Sequence, residues 1–374
     1  MKLEIPKGDL INLISKTLNI VEKRNTMPVL VNILLDAQKG KLKAFATNLE
    51  VSITDEVEAV VTQQGRVAIN AKNLHDIIKE LAEGPISLIK QENNWLKITQ
   101  GRSIFNMVGV SPDEYPVFPT HSTKEFMEIE AKVLAEMIGK TIYSVSNDDT
   151  RYHLNGVYFE NRLSGSAGSA FLMVATDGHR LSLVNRENKG PSTKTVEGGV
   201  IIPRKGLAEI YKLLENEDGK FLMAIEGSQL IVKHKNAIIM IRLIEGKYPN
   251  YRQLIPQNLN EHVLVKRDSL LSSLKRVSLL SNQKSKGVTL NFTQGRLEIS
   301  SNNPELGDAK EEIEIDYNGT GLKIGFNAKY IIDILNSMEK EEDISIDLKD
   351  QLSPGVMRAR EDKDYTCVIM PMRI

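Results

Sequence analysis

The sequence predicts an α+β fold made of three similar units joined end to end, each with two helices packed on antiparallel sheets. Its 374 residues exceed the roughly 100–200 that usually share one hydrophobic core. A helical pattern also recurs three times, at intervals of about a third of the chain. Hydrophobic residues make up 41% of the sequence and charged residues 26%, so each unit has enough apolar side chains for its own core.

The clearest part of the repeat is one helix whose lysine, acidic and apolar positions match in all three units. An apolar residue stands two, five and nine positions after Lys72, Lys205 and Lys329, and an acidic residue stands four positions after each. This spacing places the apolar residues on one helix face. We predict these helices at residues 71–81, 204–214 and 328–338, and a second helix in each unit around Leu10, Leu134 and Leu270.

Short alternating runs between and after the helices predict antiparallel strands with one buried face, for example within residues 86–110 and 221–244. A Tyr-Pro pair stands 43 positions after Lys72 and again 43 positions after Lys205. Proline cannot continue a strand ladder, so these pairs indicate linkers. Three such units form either an open row or a closed circle, and the period alone does not choose. We expect domains at 1–120, 121–254 and 255–374.

Charge and cysteine content narrow the class of protein. A net charge of −1 and a pI of about 6.6 argue against a chain that coats nucleic acid with its whole surface, but they allow a local basic face. The single Cys367 forms no internal disulfide, which fits a reducing cytoplasm. No segment approaches the roughly 18 uninterrupted apolar residues of a membrane helix. We therefore expect a cytoplasmic protein.

The sequence shows no clear catalytic, metal-binding or cofactor-binding motif. The segment GSAGSA at 165–170 lacks the lysine of a phosphate-binding loop and is interpreted as a hairpin tip. Residues 176–180, Thr-Asp-Gly-His-Arg, bring an acid, a base and a cation together, so an enzyme acting through this turn is one alternative. An exposed recognition turn is the favoured interpretation. The apolar end at 367–374 fits either a core strand or an adaptable peptide-binding surface.

Taken in order along nearly the whole chain, several segments resemble the bacterial sliding clamps, the beta subunits of DNA polymerase III. The resemblance implies three clamp-type domains per chain and a head-to-tail homodimer that closes into a ring, with helices lining the hole. Asp148, His153, Gln253 and Ile374 depart from residues common in that family. The matching segments are MKLEI (1–5), MPVL (27–30), RYHLNG (151–156), ATDGHRL (175–181), IPRKG (202–206), YPNYR (248–252), SNNPE (301–305), GFNAKYIIDIL (325–335) and MPMRI (370–374).

The resemblance further implies a non-enzymatic processivity factor that encircles double-stranded DNA. Lysine and arginine attract phosphates without reading bases, so such binding is independent of sequence and permits sliding. Basic residues recurring on the helices would line the hole: Lys16, Lys72, Lys140, Lys205, Arg276 and Lys329. By position, the expected DNA contacts are Arg24, Lys72, Tyr152, His153, Arg204 and Lys205.

A second implied site is a peptide pocket between the second and third units. In this family it takes short motifs from the DNA polymerase III catalytic subunit, the clamp loader, other polymerases and repair proteins. An apolar cleft with a few polar groups suits the anchoring of small hydrophobic side chains. The matching positions are Leu154, Thr176, Gly178, His179, Arg180, Leu181, Pro249, Leu254, Tyr330, Leu352, Pro354, Val368, Met370, Pro371, Met372 and Arg373.

Ring closure would join the first unit of one chain to the third unit of another. A head-to-tail contact closes into a ring when its rotation permits. A monomeric three-domain peptide-binding scaffold with no DNA role is the other alternative. The resemblance places Phe105 against Leu279 and Leu280, and Arg102 opposite the acidic group Asp308, Glu311 and Glu312.

Overall fold

The structure is a computed structural model that describes residues 1–21, 27–164, 168–188, 198–215 and 217–373. Within these ranges the predicted pair of helices is confirmed in each unit. The repeated helix ends one residue earlier than predicted in the first unit and two earlier in the third. The helices are α1 Lys7–Leu18, α2 Ala71–Glu80, α3 Ala131–Gly139, α4 Arg204–Leu214, α5 Arg267–Val277 and α6 Ala328–Asn336.

Strands account for most of the remaining regular structure. The first group is β1 Lys2–Pro6, β2 Asn32–Gln38, β3 Lys41–Thr47, β4 Val51–Glu58, β5 Val60–Gln63, β6 Gly65–Asn70, β7 Pro85–Lys90, β8 Leu96–Gln100, β9 Ser103–Met107 and β10 Gly109–Val110. The second is β11 Met127–Glu130, β12 Gly156–Ser164, β13 Gly168–Thr176, β14 Arg180–Asn188, β15 Val200–Pro203, β16 Lys220–Glu226, β17 Gln229–His234 and β18 Ala237–Arg242. The third is β19 Glu261–Lys266, β20 Gly287–Thr293, β21 Arg296–Asn303, β22 Gly307–Glu314, β23 Leu322–Asn327, β24 Asp343–Leu348, β25 Gly355–Ala359 and β26 Tyr365–Ile369.

The described residues form two compact units, each with two antiparallel sheets. The first compact unit holds residues 1–132 and 205–243, with sheets ordered β5-β1-β7-β8-β9 and β10-β6-β2-β3-β4-β18-β17-β16-β11. The second compact unit holds residues 133–188, 198–204 and 244–373, with sheets ordered β15-β12-β13-β14-β26-β25-β24-β19 and β22-β21-β20-β23. Residues 165–167 of the predicted hairpin tip lie outside the described residues.

The largest sheet of each compact unit continues across a Tyr-Pro linker. In the first, β4 pairs with β18, so that Val51 lies opposite Ile241. In the second, β14 pairs with β26, so that Leu181 lies opposite Val368. The middle third of the sequence therefore contributes strands to both units, and each junction is sealed by backbone hydrogen bonds between strands far apart in sequence.

Local rules explain the repeated helix and the linkers. On α2, Leu74 and Ile78 are buried while Lys72 is exposed, as the 3.6-residue period requires. The Asn70 side chain caps this helix by accepting the N–H of Asn73 at 3.0 Å. At the first linker the Tyr115 hydroxyl is buried and donates to the carbonyl of Asn32 at 3.1 Å. The Tyr-Pro pairs thus anchor the linkers to the core.

Two helix cations that were expected to line a DNA channel form ion pairs within the chain. Lys140 is only 11% exposed in its side chain, and its Nζ lies 2.5 Å from the Asp362 carboxylate and 2.8 Å from that of Glu136. Arg186 contacts the same two carboxylates. Lys16 donates at 2.7 Å to Asp55, whose side chain is buried. That both lysines line a DNA channel stays a prediction; Lys16 is still 40% exposed in its side chain, whereas Lys140 is largely enclosed by its two carboxylate partners.

The carboxylates of this four-residue cluster stay ionised. Burial opposes the charge of Asp362, but hydrogen bonds from Arg186 and Lys140 outweigh burial and lower its pKa below the ordinary 3.8. Burial likewise opposes the charge of Glu136, and the same two cations lower the pKa of that carboxyl. The cluster joins α3 and β14 to the segment before β26, so it stabilises the junction between the second and third domains.

We predict that Asp362→Ala destabilises the chain by about 3 kcal/mol, because it removes one of the two carboxylates shared by Lys140 and Arg186 and leaves two mostly buried cations with Glu136 alone. Urea unfolding measures the change. Lys266→Ala is the control, since its 2.9 Å pair with Asp343 is exposed on the lysine side and worth under about 1 kcal/mol.

The effect has a defined pH dependence. The folded-state pKa of Asp362 lies below 3.8, so its contribution is complete above that value and is lost as the pH falls through the folded pKa. The difference between wild type and Asp362→Ala should therefore shrink below pH 3.8. Equal costs for the two variants at neutral pH would contradict a stabilising role for the cluster.

Candidate nucleic-acid interface and peptide site

The turn between β13 and β14 is held by its own side chains. Thr176 Oγ1 accepts the N–H of Gly178 at 3.1 Å and donates to the carbonyl of Arg180 at 2.6 Å. Asp177 Oδ1 accepts the N–H groups of His179 and Arg180 at 2.9 and 3.0 Å. Gly178 has a φ of +88°, which a residue without Cβ adopts at little cost. The turn therefore presents the exposed His179 side chain on a rigid frame.

Arg180 points inward from this turn. Its side chain is 8% exposed, and its Nε donates to Asp177 at 3.0 Å. Nη1 donates to Asp333 on α6 at 2.7 Å, and Nη2 donates to the carbonyl of Tyr143 at 2.5 Å. The guanidinium lies 4.5 Å from the centre of the Tyr330 ring. Arg180 thus connects the turn of the second domain to a helix of the third.

Strand pairing brings the C-terminal segment beside the same turn. The N–H of Met370 donates to the carbonyl of His179 at 2.8 Å, directly after the pairing of β26 with β14. Leu154, Leu181 and Val368 are buried in one apolar cluster together with Tyr248 and Tyr251 from the second linker. This cluster forms an apolar base on the domain junction.

Other predicted pocket residues occupy the surface of the second compact unit. Leu254, Leu352 and Met370 are exposed apolar residues, at 45%, 78% and 43%. The N–H of Met372 donates to the carbonyl of Gly325 at 2.8 Å, which attaches the C-terminal segment to β23. Among the remaining predicted pocket residues Arg373 is exposed, and the partly buried ones are Pro249, Tyr330, Pro354, Pro371 and Met372.

The residues predicted to contact DNA are distributed over both compact units. Lys72 is exposed on the first turn of α2, and Lys205 Nζ on α4 lies 4.0 Å from the carboxylate of Glu50. In the second unit Tyr152 is 57% exposed and its ring packs edge-on against His153 at 5.7 Å. Arg204 is exposed and donates to Asn147 at 2.5 Å. Arg24 lies outside the described residues.

The residues predicted for dimer contact lie on or next to two sheet-edge strands, β9 and β22. Strand β9, which carries Phe105, pairs with β8 alone among the described strands, and β22 likewise pairs with β21 alone. Leu279 is 75% exposed in the turn after α5, and Leu280 beside it is partly buried. Arg102 and Asp308 are also exposed.

Part of the expected acidic partner group is already paired within the chain. Arg276 donates to both oxygens of Glu311 at 2.6 and 2.8 Å, and these hydrogen bonds lower the pKa of that carboxyl. Arg296 donates to Glu312 at 3.0 Å. A partner's cation would therefore join existing pairs.

Two residues of the candidate site escaped prediction from the sequence. Asp333 occupies the acidic position that recurs in the repeated helix, so the repeat identified it without indicating that it faces Arg180. Tyr143 could not be recognised from the sequence, because its contact with Arg180 is made by the backbone carbonyl, which every residue has. Within the described ranges, no cluster of three or more His, Cys, Asp or Glu side chains could hold a metal ion. No described helix is long and apolar enough to cross a bilayer.

Three family models match the chain in succession and cover nearly all of it. They are the DNA polymerase III beta subunit N-terminal domain at residues 1–119, the central domain at 128–250 and the C-terminal domain at 252–373. The chain belongs to the bacterial sliding clamps. This family is a non-catalytic DNA processivity factor, so the enzyme alternative for the 176–180 turn is set aside.

Individual clamps match over their full length. The beta sliding clamp of Caulobacter vibrioides is 31% identical over 376 residues, and that of Pseudomonas aeruginosa is 30% identical over 375, with both chains covered completely in each case. Among solved structures, the DNA polymerase III subunit beta of Pseudomonas aeruginosa has a TM-score of 0.93 at 30% identity. The clamp of Bartonella birtlesii, solved bound to griselimycin, has a TM-score of 0.94 at 29% identity, and coverage is again complete.

Proposed function

We propose that two copies of this clamp join head to tail into a ring around double-stranded DNA and hold replication enzymes there through a peptide pocket. The observation that carries this proposal is sheet continuation, since strands of successive domains pair within one sheet and β9 and β22 are among the edge strands of the described sheets. The domain boundaries remain those inferred from the repeat, 1–120, 121–254 and 255–374. A cytoplasmic, nucleoid-associated location follows from the DNA partner.

The DNA contacts are proposed to be weak and independent of sequence. Lys72, Arg204 and Lys205 would attract phosphates, while Tyr152 and His153 would lie against the duplex surface, with Arg24 as a further contact. The net charge of −1 fits this mechanism, because a ring requires positive charge only at its inner surface. Retention on DNA then depends on topology and not on affinity.

We predict that the protein, loaded by a clamp loader and ATP, stays on nicked circular DNA but is lost from the same DNA after linearisation. The reason is that a closed ring slides off a free end without breaking any strong contact. Gel filtration of labelled protein with each DNA measures retention. Leu49→Ala, an exposed position outside the proposed DNA, dimer and peptide sites, serves as a control and should be retained like wild type. Equal loss from circles and linear DNA would exclude encirclement.

The dimer interface is proposed to pair the open edges β9 and β22 of two copies. Unpaired strand edges with exposed apolar residues favour association. In the first domain a groove of about 530 Å³ lies between α2 and β9, and its lining includes Ile77, Leu81 and Phe105. Leu279 and Leu280 of a second copy would fill this groove, and Arg102 would face the Asp308, Glu311 and Glu312 group.

We predict that Leu279→Asp raises the dimer dissociation constant about a hundredfold, because an unpaired charge buried in an apolar contact costs about 3 kcal/mol. Sedimentation equilibrium measures the change. Leu49→Asp is the control, since Leu49 is also an exposed leucine, at 54%, but lies on the turn between β3 and β4. A wild-type protein that sediments as a monomer would instead support the scaffold alternative.

The peptide pocket is proposed at the junction of the second and third domains. Its base is the buried cluster containing Leu154, Leu181 and Val368, and its exposed anchors are Leu254, Leu352 and Met370. Thr176, Gly178, His179 and Tyr330 would supply shape and polar groups, and Pro249, Pro354, Pro371, Met372 and Arg373 would form the rim. The proposed ligands are motifs of the DNA polymerase III catalytic subunit, the clamp loader, other polymerases and repair proteins.

We predict that Met370→Ala weakens binding of a clamp-binding peptide from the DNA polymerase III catalytic subunit about tenfold, or about 1.4 kcal/mol. The loss arises because the peptide's apolar anchor loses a partner at the edge of the buried cluster. Fluorescence anisotropy of the labelled peptide measures affinity. Leu49→Ala, on the first-domain turn that matches the 176–180 turn, should bind like wild type. Unchanged affinity in Met370→Ala would place the pocket elsewhere.

A further inference from the structure

The Arg180 guanidinium is enclosed by groups of its own chain. We propose that Arg180 is a positioning residue of the peptide site, which holds Tyr330 and the 176–180 turn in place and does not itself contact the peptide. This inference rests on the proposed peptide-binding function of that site. It assigns Arg180 a role different from that of the other pocket residues.

The hydrogen bonds of Arg180 reach three separate elements. An arginine carries five N–H donors in a rigid planar fork. Its Nε bonds to Asp177 in the turn, Nη1 to Asp333 on α6, and Nη2 to the carbonyl of Tyr143 in the 3-10 helix Ile142–Ser144. With the side chain only 8% exposed, the remaining donor surface faces protein. The geometry therefore favours internal support over ligand contact.

Aromatic packing extends this support to the surface of the site. The guanidinium lies 4.5 Å from the Tyr330 ring centre and 5.2 Å from that of Tyr143. The His179 ring lies 6.5 Å from the Tyr330 ring at an angle of 19°. Two rings from different domains thus lie nearly parallel, with Arg180 fixing the base of both. Moving Arg180 would therefore shift the His179 and Tyr330 rings relative to each other.

The 176–180 turn can be compared with a second turn of the same chain, because residues 47–51 of the first compact unit form the same hydrogen bonds. Thr47 Oγ1 accepts the N–H of Leu49 at 3.0 Å, and Asn48 Oδ1 accepts the N–H groups of Glu50 and Val51 at 3.1 and 2.8 Å. The N–H of Arg242 donates to the carbonyl of Glu50 at 2.8 Å, as that of Met370 does to His179.

The side chains around this first turn are different. Val51 stands where the second unit has Arg180, and Gly206 stands where it has Tyr330. Glu209 occupies the position of Asp333 but accepts from Lys212 of its own helix at 2.8 Å. The turn therefore forms without the arginine. Arg180 and its partners occur at the junction where the peptide pocket is proposed, which indicates a role in the site beyond forming the turn.

The test is Asp333→Asn, which removes the charged acceptor on α6 while keeping the size of the side chain. Binding of the fluorescein-labelled clamp-binding peptide from the DNA polymerase III catalytic subunit should weaken about tenfold by anisotropy, although Asp333 is outside the proposed contact set. Asp347→Asn is the matched control. It breaks a comparable 2.9 Å pair with Arg358 in the same domain and should bind within twofold of wild type.

Hydrogen exchange separates positioning from direct contact. Asp333→Asn should speed exchange of the His179 and Arg180 amides in the free protein, whereas His179→Ala should lose peptide affinity with little change in the Arg180 amide. Wild-type affinity in Asp333→Asn would overturn the proposal. If that variant does not fold, Arg180→Lys, too short to reach all three acceptors, should speed exchange of the His179 amide in the free protein, where no peptide contact contributes. Failure of wild type to bind the peptide would refute the pocket, while the exchange result would still report on the turn.

Discussion

Backbone pairing between strands of successive domains is the constraint on which the rest of this clamp depends. The β14 and β26 ladder places Leu181 opposite Val368 and continues into the bond between Met370 and His179. Because side chains alternate along a strand, this register decides which residues reach the junction surface. A shift of one residue would turn Leu181 and Val368 away from the buried cluster that is the proposed base of the peptide site.

Ionised side chains do two kinds of work in this protein. Lys140 and Arg186 form ion pairs with Asp362 and Glu136. These four charged side chains are only partly hydrated, and their pairing stabilises the junction between the second and third domains. Lys72 and Arg204 remain on the surface, where interactions between charges are screened and weak. Strong ion pairs therefore stabilise the fold, and the proposed DNA contacts fall on surface cations that interact weakly. A protein that must slide requires this division, since tight phosphate contacts would hold it in one place.

The duplicated turn shows how a repeat acquires a site at one of its junctions. Thr47 and Asn48 make the same hydrogen bonds as Thr176 and Asp177, so the backbone frame is common to both. What differs is the side chain that enters the junction, valine in one case and arginine in the other. This turn forms at little entropic cost, because its hydrogen bonds join short polar side chains to backbone groups only a few residues away in sequence. The partners of Arg180 require a helix from the next domain, and that is where the two junctions diverge.

The sequence by itself determined the helices, the threefold repeat, the linkers and the family, because these depend on local periodicity and on contiguous motifs. The 3.6-residue spacing after Lys72, Lys205 and Lys329 predicts helices without knowledge of any long-range contact, and the Tyr-Pro pairs predict the linkers in the same way. It did not reveal that Lys140 is buried against Asp362, which is 222 positions away, or that Arg180 bonds to Asp333, which is 153 positions away. Those partners are chosen when strands from separate domains pair. Only the tertiary structure therefore decided which cations are internal and which remain on the surface.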